Sequence, residues 1–310
     1  MLEKGYSVRG IARQLGRSHT NILEEIKRNS VKGKYDPRKA DQKAYARRRY
    51  AKYQGMKIVS HPGLQQFVDT KLRDGQSPEA IAGRIKNHET HLPRTSKDSI
   101  RRYIKSVPGR RIENYLINQK RKRKRHRKRP SVMKLQDRVF IDKRPKYTQE
   151  RKYIGDAEAD FLLSGRTGKG IILSLVCRKI RVVFLEQILN VAIVNVHKAF
   201  KRIKRRFPEL KSISTDNDLL LERHKELGKL LNVKIYFCHP YHSWEKGSIE
   251  NANKYIRRDI PKGSDMSRYS KQFIQKLEDK LNKRFMEVLS YKTPQEMLNE
   301  HRERKKRRRA

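Results

Sequence analysis

Apolar residues are concentrated in one part of this chain, from Tyr153 to Phe237, while Lys and Arg dominate on both sides of it. Only this segment is rich enough in apolar side chains to build a large core. It begins with three strand-like runs, at 153–163, 170–176 and 181–187, separated by short turn-like segments. These runs predict an antiparallel meander.

The chain then alternates between helical and extended patterns. The spacing of apolar residues predicts strands at 210–215 and 233–237 and helices at 191–206, 220–231, 243–258 and 269–289. We expect Ser243 to cap the third of these helices, because Ser is a preferred N-cap residue. A meander followed by alternating helices and strands predicts a mixed α/β sheet with helices on its faces.

The N-terminal region has a different, helical pattern. Residues 7–28 predict two short helices: the first is broken at Gly16-Arg17 and the second is capped by Ser18. Two helices around a Gly-containing turn are typical of a helix-turn-helix, whose second helix enters the major groove of DNA. An ordinary helical hairpin remains an alternative. The short or basic side chains suited to base edges and phosphates are those of Arg17, Ser18, Asn21, Lys27 and Arg28.

The first helix of this unit has little to cover it, because only six residues precede Ser7. Helices that short are marginal in water. We therefore expect either that the unit is poorly ordered without DNA or a partner, or that the chain begins inside a longer first helix.

A second helical unit is predicted after the breaks at Gly55 and Pro62-Gly63. Helices are expected at 65–72, after the N-cap Ser77, and at 96–104, which allows a second helix-turn-helix with a long turn. Its candidate DNA contacts are Arg84, Arg101 and Arg102.

The formal net charge of +45 calls for a polyanionic partner, since self-repulsion would oppose compaction. Two basic runs, Lys120–Arg129 and Arg302–Arg309, contribute to it, although each run alone is also consistent with a solvated tail. This charge favours nucleic acid, bound by phosphate neutralisation. The sequence has no apolar signal peptide and no stretch of eighteen apolar residues, and it has two cysteines. We therefore expect a cytoplasmic, nucleoid-associated protein rather than a secreted or membrane one.

Carboxylates are scarce, so those at strand ends stand out. Asp156, Glu158 and Asp160 alternate along the first predicted strand and point to one face. Asp216 ends a later strand, and Glu250 lies in the helix after the last strand. A mixed sheet can bring three such carboxylates to one edge, where they suit two Mg²⁺ ions. Surface ion pairs with the abundant Lys and Arg are the alternative.

The segment from Tyr236 to Asn253, together with 214–217 and 261–265, closely resembles the insertion-sequence-30 family of DDE transposases. Thirty-three residues separate Asp216 from Glu250, as in that family's pattern. The resemblance continues at Arg17-Ser18, at 25–29, at 77–84 and at Thr293-Pro294, so it covers nearly the whole chain.

The resemblance implies a ribonuclease-H-like catalytic domain that cuts and joins DNA at transposon ends. Asp160, Asp216 and Glu250 are then the catalytic residues and the ligands of two Mg²⁺ or Mn²⁺ ions. Double-stranded DNA, as transposon ends and target, is the implied partner, and paired-end cutting implies a homo-oligomer on DNA. The implied domains are a helix-turn-helix domain at 1–54, a second such domain at 55–107, a basic linker at 108–148, the catalytic domain at 149–300 and a basic tail at 301–310.

Two residues depart from the family's pattern. Ala157 stands where the family has Trp, and Asp218 stands where it usually has Gly. Asp218 adds a negative charge beside the predicted metal site, so reduced activity is a possible consequence. On the helix of Glu250, Lys246, Lys254 and Arg257 share its face and are predicted to contact DNA phosphates, with a solvated basic face as the alternative. Asn253 is a further candidate for orienting Glu250 or the DNA.

Other interpretations of the chain remain. A catalytically weakened, transposase-derived DNA-binding repressor explains the charge and the helix-turn-helix units equally well, and a basic RNA-associated protein lacks any RNA-module signature. Cys177, Cys238, His239 and His242 lack the paired spacing of a zinc site, so the sequence does not predict zinc. We expect Trp244 to pack under the helix of Glu250.

Overall fold

A computed structural model gives the structure of this chain and describes residues 1–31, 33–51, 56–118, 135, 137–239 and 242–308. The predicted fold class is confirmed: helical units precede a domain built on a mixed five-stranded sheet. The basic run Lys120–Arg129 lies outside the described residues, so its predicted role is untested.

The N-terminal unit contains the two predicted helices and a third one. They are α1 (Val8–Gln14), α2 (His19–Asn29) and α3 (Pro37–Ala51). The predicted cap of α2 forms, since the hydroxyl of Ser18 accepts from the Thr20 N–H at 3.2 Å. Ser7 caps α1 in the same way, accepting from the Gly10 N–H at 3.1 Å. These side chains satisfy N–H groups that a helix leaves without intrahelical partners.

Helix α3 packs against the end of α2. The Lys43 ammonium donates to the backbone carbonyl of Ser30 at 3.1 Å, and the guanidinium of Arg47 donates to the side-chain oxygen of the buried Asn29. On the opposite side Leu15 stays half-exposed. Helix α3 is thus held against α2 by polar contacts.

The second unit consists of five helices around one apolar core. They are α4 (Met56–Val59), α5 (Pro62–Arg73), α6 (Pro78–Asn87), α7 (Lys97–Lys105) and α8 (Arg110–Asn118). Ser77 caps α6 as predicted, and Ser96 caps α7, which begins at Lys97. Helix α8 lies in the segment predicted as linker. This segment is folded because Ile112 is buried against α5 and α7 and completes this core. The prediction of a linker from Pro108 is wrong for these nine residues.

The sheet has the strand order β3-β2-β1-β4-β5. After the short helix α9 (Lys146–Gln149), the elements in chain order are β1 (Asp156–Leu163), β2 (Ile171–Cys177), β3 (Val183–Ile188), α10 (Ile193–Arg206), β4 (Ser212–Thr215), α11 (His224–Leu231) and β5 (Lys234–Phe237). β1, β2 and β3 form the predicted antiparallel meander, while β4 and β5 run parallel to β1. This is the ribonuclease-H-like arrangement that the resemblance implies.

Both faces of the sheet are covered by helices. Alternation along β1 sends Ala157, Ala159 and Phe161 into the core under α10 and α11. The opposite face packs on α12 (Gly247–Asp259) and α13 (Lys271–Asn282) through Leu162 and its neighbours. The acidic residues of β1 therefore face α12.

The C-terminal part differs from its prediction in two respects. α12 begins at Gly247 rather than at Ser243, because residues 243–246 form a 3₁₀ turn. The helix predicted at 269–289 is shorter, because α13 ends at Asn282 and a separate 3₁₀ turn spans Glu287–Leu289. A further helix that was not predicted, α14 (Pro294–Arg307), begins with a capping box of Thr293 and Glu296.

Helix α14 also includes most of the predicted basic tail. Arg302 is held there by the carboxylate of Glu209 at 3.0 Å and by the carbonyl of Arg206 at 2.8 Å. Within the described residues no helix is long and apolar enough to cross a membrane.

Candidate active site

The acidic site forms where β1 and β4 run side by side. Their parallel register pairs Asp156 with Ser212 and Glu158 with Ser214, so two residues further along Asp160 lies beside Asp216. Asp156 instead bonds the hydroxyl of Ser212. Of the acidic residues on β1, Asp160 is thus the neighbour of Asp216.

A lysine ammonium lies between these two carboxylates. The Lys246 Nζ is 2.7 Å from Asp216 Oδ2 and 3.4 Å from Asp160 Oδ1, and its side chain is only 5% exposed. Lys246 was predicted to contact DNA phosphates from an exposed helix face. That placement is wrong, because the residue ends the 3₁₀ turn before α12 and is directed into the acidic site.

The pKa values of these groups follow from this arrangement. Burial raises the pKa of Asp160 above its ordinary value; the Lys246 ammonium opposes this rise and the carboxylate of Asp216 adds to it. Burial disfavours the charged form of Lys246, but the carboxylates of Asp160 and Asp216 outweigh it and raise the pKa of the ammonium. The charges of the three groups are therefore interdependent.

Helix α12 presents the rest of the site. The Asn253 amide donates to Asp160 Oδ2 at 2.6 Å, and its oxygen accepts from the hydroxyl of Ser174 on β2 at 3.1 Å. Glu250 lies between Lys246 and Asn253 on this face of the helix, in its first turn, and is exposed. Within the described chain, Asp160, Asp216 and Glu250 do not form a group with all ligand atoms inside 4.8 Å. The structure brings the two aspartates onto one ammonium, and the side chain of Glu250 is exposed.

A buried ion pair fixes the start of this helix. Glu158 accepts from the Arg178 guanidinium at 2.7 Å with one oxygen and from the Ile249 N–H at 2.9 Å with the other. An anion at a helix N-terminus satisfies a free N–H and interacts favourably with the helix dipole. Glu158 therefore does what Ser243 was predicted to do, from a strand far away in sequence.

The predicted DNA contacts are placed differently from one another. The exposed ones include Arg17, Ser18, Asn21, Lys27, Arg28 and Lys254. Arg101 is half-exposed and pairs with Glu79 and Asp98, and Arg102 donates to the carbonyl of Asp98. Arg257 is partly buried, donates to the carbonyl of Pro261 and has a pKa lowered by burial.

The guanidinium of Arg84 is bound by other residues of the chain. Its guanidinium makes two 2.8 Å bonds to Glu296 of α14 and one of 2.9 Å to Glu89, and it stacks over Phe285. It therefore joins the second helical unit to the C-terminal helices, which disfavours the predicted DNA contact.

Comparison with known proteins agrees with this architecture. The family model of a helix-turn-helix domain matches residues 1–29. The transposase for insertion sequence element IS4351 of Bacteroides fragilis is 33% identical over 309 residues, covering 97% of this chain and 92% of that protein. The InsI transposase for insertion sequence element IS30A of Escherichia coli strain K12 is 30% identical over 305 residues, covering 94% and 78%. This chain belongs to the IS30-type insertion-sequence transposases.

A solved structure is similar to part of this transposase-family chain. The catalytic core domain of BIV integrase covers 49% of the chain and 97% of its own length, with 17% identity and a TM-score of 0.39.

The two departures from the family's pattern have clear positions in this transposase-family chain. Ala157 is buried in the core under α10 and α11. The Asp218 carboxylate accepts from the Leu220 N–H at 3.0 Å and so caps the 3₁₀ turn at 219–221. With φ at −95°, Asp218 occupies a backbone conformation that does not require glycine.

Proposed function

We propose that this chain is a DNA transposase that binds the terminal inverted repeats of its element, cleaves a strand at each end and joins the ends to target DNA. The observation that carries the proposal is the pair Asp160 and Asp216, which the register of the two neighbouring strands β1 and β4 aligns beside the helix of Glu250. Membership of the family supports the same activity.

The residues of the site fit divalent cations. Three carboxylates offer the hard oxygen ligands that Mg²⁺ and Mn²⁺ prefer. The Lys246 ammonium, which contacts Asp160 and Asp216 together, indicates that a cation is accommodated between them. Asp160, Asp216 and Glu250 would hold two ions, whose chemistry when bound would be Lewis-acid activation of a water or 3′-hydroxyl and stabilisation of the leaving oxygen.

Neighbouring residues prepare these ligands. Asn253 fixes the rotamer of Asp160 through the 2.6 Å hydrogen bond, and Ser174 in turn orients Asn253. Glu158 holds the first turn of α12, which carries Glu250, against β1. The two aspartates carry like charges at short distance and therefore repel each other. The Lys246 ammonium offsets this repulsion.

DNA binding would use charge on several elements. The exposed residues of α2, together with Lys254 on α12, are available to phosphates and base edges. The net charge of +45 provides the electrostatic attraction. Because two transposon ends are cut together, a homo-oligomer on DNA follows from this proposal.

The test compares two aspartates that lie two residues apart. Purified protein is incubated with labelled candidate element ends and Mg²⁺, and strand cleavage is measured on denaturing gels. Asp216→Asn should reduce cleavage by about 10²-fold or more, because it removes a charge that stabilises the reacting centre. Binding of the same DNA should remain nearly unchanged.

Asp218→Asn is the matched control, since it makes the same change of charge in the same loop. Asn retains the capping bond to Leu220. This variant should cleave at least as well as the wild type. Specific binding without any cleavage by the wild type would contradict the proposal and support the repressor alternative.

A further inference from the structure

A second cluster of metal-ligating side chains lies beside the acidic site, in the segment between β5 and α12. His239 Nδ1 is 3.0 Å from Glu245 Oε1, and His242 Nδ1 is 3.3 Å from the same oxygen. Among the described residues these three side chains are the group whose ligand atoms all lie within 4.8 Å of one another. We propose that His239, His242 and Glu245 form a transition-metal site, suited to Zn²⁺, separate from the carboxylate site for Mg²⁺.

The spacing of the ligand atoms matches a tetrahedral ion. Zinc bonds to histidine nitrogen and carboxylate oxygen are about 2.0–2.2 Å long, so two ligands of a tetrahedral ion lie about 3.3–3.5 Å apart. The two observed separations of 3.0 and 3.3 Å are close to this value. Two imidazoles and a carboxylate favour Zn²⁺ and its neighbours over Mg²⁺, which prefers oxygen ligands.

Outer hydrogen bonds orient two of the three ligands. His239 directs its other ring nitrogen, Nε2, at Asp142 Oδ2, 2.9 Å away. Glu245 uses its other oxygen, Oε2, to accept from the His239 backbone N–H at 2.9 Å. Metal-bound histidines usually donate their second ring N–H to a carboxylate in this way, which fixes the tautomer and the ring orientation.

Aromatic rings hold both imidazoles in place. Phe140 stacks on His239 with ring centroids 5.1 Å apart, and Trp244 stacks on His242 at 4.4 Å. Trp244 is 71% exposed, so it does not pack under α12 as predicted from the sequence. Trp244 instead covers the His242 ring of the cluster.

The sequence did not predict this site, because Cys177, Cys238, His239 and His242 lack the paired spacing of a zinc site. Glu245 was not included among the possible ligands, although the pattern His239-x-x-His242-x-x-Glu245 is regular. An ion here would link the segment that enters the active site at Lys246 to the chain that carries Asp142 before β1. A bound ion would therefore stabilise the segment that leads to Lys246, without taking part in the chemistry of the acidic site.

The experiment uses the untagged full chain, stripped of metal by a chelator and kept in excess Mg²⁺ so that carboxylate sites are satisfied. Zn²⁺ is titrated against a competing zinc indicator. Co²⁺ is titrated in parallel by tryptophan emission, because Trp244 is the only tryptophan in the sequence and stacks on His242. We expect one equivalent of saturable binding with each ion and quenching of the emission by Co²⁺.

Four variants separate the proposed site from adventitious binding. His242→Ala and Glu245→Gln should each abolish the saturable equivalent, and Asp142→Asn should weaken it by about 10–100-fold through His239. His91→Ala is the matched control, because His91 lies 3.9 Å from Glu89 on a different part of the chain. This variant should bind as the wild type does.

Two results would overturn the proposal. One is the absence of a saturable equivalent in the wild type, which would leave the cluster as a hydrogen-bonded network only. The other is unchanged binding in His242→Ala and Glu245→Gln whose far-ultraviolet circular dichroism matches that of the wild type. Because no DNA is present, neither result depends on the proposed transposase activity.

Discussion

The buried pair of Glu158 and Arg178 allows a sharp test of how the active-site helix is held. Glu158→Gln keeps the shape of the side chain but removes its charge. Arg178 then remains as a buried cation, because the two side chains are only 1% and 7% exposed. The amide oxygen can still accept from either Arg178 or Ile249, but the amide nitrogen is a donor that faces another donor.

The expected loss of stability follows from this burial. Removing one partner of a buried ion pair costs about 3–5 kcal/mol, because an uncompensated charge is left behind. In a domain of this size each kcal/mol lowers the melting temperature by about 2–4 °C. The unfolding transition of the catalytic domain should therefore fall by roughly 6–20 °C, measured by differential scanning calorimetry.

Glu186→Gln is the matched control on β3. Glu186 also bonds two arginines, Arg202 at 2.7 Å and Arg206 at 3.0 Å, but those partners are 47% and 32% exposed. Ion pairs with exposed partners contribute about 0–1 kcal/mol, so this variant should melt close to the wild type.

The double variant Glu158→Leu, Arg178→Met provides a second check, since replacing both charges by apolar groups avoids the unpaired cation. It should recover part of the stability lost in Glu158→Gln. If Glu158→Gln melts no lower than Glu186→Gln, the account of this pair is refuted.

Three further outcomes follow from the structure. Affinity for DNA, measured by fluorescence anisotropy, should fall by about 10³-fold or more between 50 and 200 mM salt if six or more phosphates are contacted; a shallow slope would contradict this. Ser18→Ala removes the cap of α2 and should cost about 1 kcal/mol by urea unfolding and alter discrimination between element ends. Arg84→Ala should lower the free energy of unfolding by about 2 kcal/mol, since charged hydrogen bonds to Glu296 are lost, while leaving DNA affinity unchanged; weaker DNA binding would restore the predicted contact.

The sheet was predictable from the sequence because local patterns encode it. Alternation and turn residues defined β1, β2 and β3, and each strand begins within three residues of its prediction. The pairing of β1 with β4 follows from topology and determines which acidic residue of β1 meets Asp216. The choice of Asp160 rested on the family resemblance, since the alternation of Asp156, Glu158 and Asp160 gives all three the same face.

The features that escaped prediction depend on contacts distant in sequence. The cap of α12 is supplied by Glu158, 91 residues before Ile249. Arg302 is held by Glu209, so α14 continues through residues that resemble a solvated tail. The position of Lys246 depends on the 3₁₀ turn before α12, which moves the start of the helix and directs the ammonium at two aspartates.

The central claim is tested most directly by strand transfer with pre-cleaved element ends in Mg²⁺, using single variants of each acidic residue. Asp160→Asn, Asp216→Asn and Glu250→Gln should each abolish joining to target DNA while DNA affinity stays near that of the wild type. Asp156→Asn should retain joining, because that carboxylate is bound to the hydroxyl of Ser212. Joining by any of the first three variants, or its loss in Asp156→Asn with Asp160→Asn active, would contradict the assignment of the active site.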